Sequence, residues 1–217
     1  MGAVTVGVDV GQRRDPTAIA VVEQEERRST ENHHMVRYLE RLPLGSPYPA
    51  VAERVAAVVQ GVHLVTSGEA PILYVDATGV GTPVVDVLRA ASVGDLAQLK
   101  AVFFNHGDRR KVERGEVRLG KAWLVARMQT LLQSGLLHLP RNAEAQVLAQ
   151  ELLDYEIRIT EDANDRYGAF RVGAHDDLVT ALGLATQEDR GGGWSTSYRD
   201  DPYTFGDIPS GGLWPSW

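Results

Sequence analysis

The chain has 217 residues, enough for one sizeable core, and its 43% apolar, 24% charged and 7% aromatic content excludes a fibrous repeat or wholesale disorder. No run approaches the ~18 apolar residues of a membrane-spanning helix, and the opening residues pass directly into a valine-rich segment, so a soluble protein without a secretory signal is expected. The absence of cysteine excludes disulfides, thiolate metal sites and a cysteine nucleophile, leaving oxygen or imidazole to hold any metal.

A net charge of −7 argues against a nucleic-acid partner, but the charge is unevenly spread. Residues 100–127 hold eight basic side chains (Lys100, Arg109, Arg110, Lys111, Arg114, Arg118, Lys121 and Arg127) against three acidic ones (Asp108, Glu113 and Glu116). A basic patch in an acidic chain is therefore expected, with carboxylates gathered around cations inflating the negative total.

In chain order, residues 4–10 alternate valine with Thr5, Gly7 and Asp9, the period of a strand that puts the valines on one face and Asp9 on the other. Turn residues follow, and residues 17–23 predict an antiparallel return, with a third strand over residues 32–42. Helical spacing of Val51, Val55, Val58, Val59 and Val62 predicts a crossover helix over residues 48–65. A short apolar strand, residues 71–76, ends on Asp76. Thr82-Pro83 then predicts an N-cap and first position for a helix through Ala91. A fifth strand over residues 100–104 leads into a basic loop and a helix from about Arg118 to Ser134, with Leu124, Met128, Leu131 and Leu132 on its buried side. Residues 142–153 predict another helix, residues 155–160 and 167–172 a hairpin around Asn164-Asp165, and residues 175–187 a last helix. From residue 189 onward glycine, serine, proline and scattered aromatics predict a flexible tail, which bounds a domain of residues 1–188.

Chemistry is expected where these elements end. One aspartate closes the first strand, a second closes a later strand of the same sheet, and Asp176-Asp177 opens the last helix. Strands that end at one edge bring such residues together. An all-oxygen set suits Mg²⁺ or Mn²⁺, and two such ions ~3.5–4 Å apart serve an in-line attack on a phosphodiester. Between the paired aspartates, Asp177 lines up with Ala181 and Leu184 toward the sheet and is the preferred ligand; Asp176 is a second ligand or a cap.

The runs Gly7-Val8-Asp9-Val10-Gly11 to Asp15-Pro16-Thr17-Ala18-Ile19-Ala20, Val75-Asp76-Ala77-Thr78-Gly79-Val80-Gly81 and His175-Asp176-Asp177-Leu178-Val179-Thr180-Ala181-Leu182 resemble the nuclease domain of tailed-phage large terminase subunits, from about Val4 to Ala185. That resemblance implies a ribonuclease H-like α/β fold: a three-stranded antiparallel meander, then parallel strands, flanking helices and an extra hairpin before the last helix. It also implies two Mg²⁺ or Mn²⁺ ions on Asp9, Asp76 and Asp177, cleavage of double-stranded viral DNA concatemers, and a hairpin over residues 155–172 acting as a DNA-contacting flap. The implied partners are an ATPase motor domain, the portal protein and the small terminase subunit, with no membrane, in the cytoplasm of an infected bacterium. The sequence contains no Gly-x-x-x-x-Gly-Lys-Ser/Thr phosphate loop, so motor activity is not attributed to it, and the chain is either an excised domain or a stand-alone nuclease.

Arg109, Arg110, Lys111, Arg114, Arg118 and Lys121 are the candidate DNA contacts, with Lys121 also placed to reach a scissile phosphate. His106 and His175 are candidate phosphate contacts or general acids, and Asp15, before Pro16, is read as a turn residue, with a supporting role behind a ligand as the alternative. With no base-reading motif apparent, cutting is expected to be largely sequence-independent. The alternatives are a junction resolvase or transposase-like nuclease of the same fold, an actin-like ATPase or sugar kinase, for which one copy of the fold is too short, and a non-catalytic DNA-binding module.

Overall fold

The computed structural model describes residues 2–11, 15–26, 32–66, 69–91, 93–105, 109–113, 115–159, 165–168 and 175–188. A mixed sheet of eight strands runs through its centre in the order β6-β7-β5-β4-β1-β2-β3-β8. Strands β1 (Val4–Asp9), β2 (Ala18–Glu26) and β3 (Asn32–Arg41) form the predicted antiparallel meander. β4 (Ile72–Asp76) and β5 (Gln98–Asn105) add to β1 in parallel after the crossover helix α1 (Tyr48–Val65) and helix α2 (Thr82–Ala90). Because β1, β4 and β5 run the same way, Asp9, Asp76 and Asn105 close them at one edge.

Alternation along the strands divides the core in two. Val4, Val6, Val8 and Val10 pack with Ile19, Leu73 and Val75 against α1 and α2. Five fully buried valines of α1 form its inner face, each contributing about 1.5–3 kcal/mol on burial as an upper bound. Ala18, Ala20, Tyr74 and Val102 face the other way, against α3 (Lys121–Gln133), α4 (Ala143–Asp154) and α5 (Asp177–Ala185). Every residue of α5 is buried. Gly7 permits this, since a Cβ there would stand 2.1 Å from the Ala181 carbonyl oxygen and 2.6 Å from the Ala185 nitrogen. That close approach lays α5 directly on β1, with its first turn over Asp9.

Several expectations need correction. The basic loop holds an edge hairpin, β6 (Arg110–Glu113) and β7 (Glu116–Gly120), and β7 pairs in parallel with β5. Arg118 therefore lies in a strand, and the helix begins at Lys121. Leu132 is 41% exposed, because α3 turns Leu131 inward and the next residue is carried out by the helical step. Gly81, not Thr82, caps α2, and the Thr82 hydroxyl instead donates to the Ala77 carbonyl at 3.0 Å. A two-residue strand, β8 (Leu137–His138), extends the sheet beside β3. The hairpin before α5 is present as β9 (Glu156–Ile159) and β10 (Asp165–Gly168), with Asp165 paired to Ile159 rather than in the turn. The remainder of the expected hairpin and the tail from residue 189 lie outside the described residues. No helix among the described residues is long and apolar enough to cross a membrane.

Candidate functional site

Asp9 and Asp76 meet at the edge where β1 and β4 end. Their carboxyl groups are close enough to act on one another, and the Asp76 Oδ1 accepts the Thr78 N–H at 2.7 Å. That Asx turn is fixed from two sides. The Thr78 hydroxyl oxygen accepts the Phe104 N–H at 2.8 Å, and Gly79 takes a φ of 64°, the left-handed conformation that glycine adopts without strain. Burial, followed by the charges of Asp76, Asp177 and Asp176, holds the Asp9 carboxyl well above the usual carboxylate range, with Lys121 pulling it back. Burial also raises Asp76, against the Thr78 hydrogen bonds and Lys121. The Lys121 ammonium stands 5.6 Å from the centre of the Phe104 ring and serves both carboxylates.

Asp177, at the first position of α5, is only 2% exposed. Burial pushes its carboxyl up to about 6, with Arg41 and His175 opposing the rise and Asp176 and Asp15 adding to it. Its Oδ2 lies 3.4 Å from Arg41 Nε and 3.8 Å from His175 Nδ1, as ion-pair contacts without a formed hydrogen bond. Asp15, His175 and Asp177 each offer a ligating atom, and these atoms lie within 4.8 Å of one another, the one such trio among the described residues. Asp176 is the N-cap of α5 and is partly exposed. The three aspartates expected to share ions are thus arranged as two neighbouring groups, Asp9 with Asp76 and Asp177 with Asp15 and His175, close enough for Asp177 to act on Asp9.

This donor set suits a hard divalent cation. It is oxygen with one imidazole, its buried carboxyls resist ionisation on their own, and the Asp177 Oδ2 is a buried acceptor lacking a hydrogen bond.

The basic candidates do not share one surface. Cross-strand register places Lys111 opposite Arg118 and Arg110 opposite Leu119, so strand alternation sends Arg110 to the α3 face and Lys111 and Arg118 to the other. Arg110 reaches the Tyr74 hydroxyl at 2.9 Å and, with Lys100, pairs with Glu188, while Arg127 donates to the backbone carbonyls of Thr186 and Glu188. Lys111 and Arg118 are exposed; Arg118 lines a groove with Phe103, Phe104, Asn105 and Glu116, and Lys111 pairs with Glu113. Arg109 is exposed and its carbonyl accepts from Gly120 N–H; Arg114 and His106 lie outside the described residues.

Sequence reasoning missed Arg41 and Glu151, and it read Asp15 first as a turn residue, with a supporting role behind a ligand as the alternative. Asp15 had a signal: a hairpin turn between β1 and β2 must fall at the same edge as Asp9. Arg41 and Glu151 had none, since their partners are distant in sequence.

These elements together have the ribonuclease H-like fold of viral terminase nuclease domains. The chain is similar to the large terminase nuclease from thermophilic phage G20c with bound magnesium, at 20% identity over 84% of this chain and 79% of that one, with a TM-score of 0.59. It is also similar to the large terminase nuclease domain of Thermus phage P74-26, at 18% identity, 89% and 84% coverage and a TM-score of 0.58. The human cytomegalovirus terminase nuclease domain, soaked with manganese and inhibitor-bound, is 16% identical over 85% and 81%, with a TM-score of 0.56. No family model matches the chain, and no curated protein does.

Proposed function

We propose that this chain is a metal-dependent endodeoxyribonuclease that cleaves double-stranded viral DNA during genome packaging, largely without sequence preference. The observation that carries the reading is the pair of acidic groups, Asp9 with Asp76 and Asp177 with Asp15 and His175, at one sheet edge of a terminase-nuclease fold. Neighbours of that fold described with bound magnesium and soaked with manganese support Mg²⁺ or Mn²⁺ as the cofactor.

Asp9 and Asp76 would hold one ion, and Asp9 and Asp177 a second, with Asp15, His175 and Asp176 at hand. When bound, such ions supply a water of lowered pKa and stabilise charge on the reacting phosphate. The chain's own contributions are more local. Lys121, beside both carboxylates, offers a cation to a phosphate oxygen at the edge. Lys111, Arg118 and Arg109 are the exposed cations placed to contact the sugar–phosphate backbone. Residues 1–188 form the nuclease domain in this reading, with 189–217 appended. An ATPase motor, portal protein and small terminase subunit are its partners, and concatemers in the bacterial host cytoplasm its substrate.

Plasmid digestion with Mg²⁺, with Mn²⁺ and with chelator tests the proposal. Cutting in either metal, none in chelator, and none by Asp9→Ala or Asp177→Ala are expected. Chelator-resistant cutting, or full activity in Asp9→Ala, would sink it.

A further inference from the structure

The geometry points to Glu151 as a positioning residue: from α4 it caps the first turn of α5 and anchors Arg41, and so sets the place and charge environment of the Asp177 carboxylate. This rests on the reading of Asp177 as a cation ligand.

A helix start leaves backbone N–H groups without partners, and an aspartate there ordinarily accepts one of them. In α5 neither aspartate does so. Asp176 stands at the N-cap without a side-chain hydrogen bond to the helix, and the Leu178 and Val179 N–H groups donate instead to Glu151 Oε2, at 3.1 and 3.3 Å. The cap comes from another helix, which leaves the carboxylates of Asp176 and Asp177 to the sheet edge.

The second oxygen of Glu151 has a different partner. Oε1 forms a close ion pair with Arg41 Nη2, while Arg41 Nε lies 3.4 Å from Asp177 Oδ2. One guanidinium is thus divided between two carboxylates. Glu151 is 6% exposed, a depth at which a carboxylate needs compensation. Two backbone N–H groups, the positive end of α5 and Arg41 supply it. Without the Glu151 charge, Arg41 keeps Asp177 as its carboxylate neighbour, and the guanidinium then competes with a metal ion for the same oxygen.

The two contacts separate by mutation. Glu151→Gln retains an oxygen able to accept the Leu178 and Val179 N–H groups but loses the charge that holds Arg41; Glu151→Ala loses both. The readout is Mn²⁺ affinity of the DNA-free protein by titration calorimetry, with far-UV circular dichroism to establish folding. Loss of a partner behind a metal ligand typically weakens metal binding about 10–100-fold. Glu151→Ala should fall in that range, Glu151→Gln should fall less, and Arg41→Met in the Glu151→Gln background should restore affinity toward the wild type. A folded Glu151→Ala with wild-type affinity overturns the proposal. If that variant does not fold, unchanged affinity in Glu151→Gln, or no recovery on adding Arg41→Met, overturns it. Absence of Mn²⁺ binding by the wild-type protein instead overturns the metal-site reading, and this inference with it.

Discussion

Replacing Asp177 with asparagine should make the metal-free protein more stable while abolishing cleavage. The side chain is 3% exposed and its carboxyl is raised from an ordinary 3.8 to about 6. A raised carboxyl pKa means that the folded protein holds a proton that the unfolded chain releases. Stability from this group is therefore fully present below about pH 4 and lost as pH rises through about 6. At 1.36 kcal/mol per unit, ionising Asp177 in the folded protein costs about 3 kcal/mol near neutrality. Asparagine keeps the size and an acceptor oxygen for Arg41 but carries no charge. With a urea dependence of about 1–3 kcal/mol per molar, a gain of that size moves the unfolding midpoint upward by about 1 M or more. Urea titrations in chelator at about pH 8, 6 and 4.5 measure it, and the advantage of Asp177→Asn should shrink as pH falls. A variant less stable than the wild type at the highest pH, or an advantage independent of pH, would refute the reasoning.

Three further outcomes are expected. Gly7→Ala drives a methyl group into the backbone of α5 at Ala181 and Ala185, so denaturant unfolding should show a loss of about 3 kcal/mol or more, and Mn²⁺ binding should weaken as α5 is displaced. Lys121→Met should lower single-turnover cleavage about tenfold or more while tightening Mn²⁺ binding in calorimetry, since the ammonium that assists a phosphate also repels a metal ion. Parallel losses in both would argue that Lys121 merely supports the fold. Glu188→Gln frees Lys100 and Arg110 from a carboxylate they share, so duplex DNA should bind more tightly at low salt, with a salt dependence steeper by about one unit. An unchanged slope in fluorescence anisotropy contradicts that. The stability cost should be about 1 kcal/mol or less, because these side chains are 21–24% exposed.

Legibility in the sequence followed how local the physics is. Valine alternation in β1 and the valine stripe of α1 are patterns set by one element facing one core, and both elements formed as their spacing predicts. The edge hairpin β6–β7 was hidden because an outer strand with little burial has no apolar period to display. Its buried pair Val117 and Leu119 flanks Arg118, whose sequence context reads equally as the start of the following helix. At the candidate site, Asp9 and Asp76 were legible as strand ends. Asp177 is buried and Asp176 partly exposed, but the whole of α5 is enclosed rather than one stripe of it, so helical face alone does not separate the two. The Glu151–Arg41–Asp177 contacts were not legible, because a cap donated by a separate helix follows no spacing rule.

A helix whose start is secured by someone else's side chain does not depend on its own opening residues to stay wound. In α5 the two aspartates can therefore be exchanged for asparagine, glutamate or histidine over generations, altering which metal is preferred or how fast DNA is cut, with little risk of unravelling the scaffold beneath. The same arrangement favours the experimenter: an inactive variant at position 177 should remain a faithful copy of the fold, suited to capturing DNA that is bound and uncut.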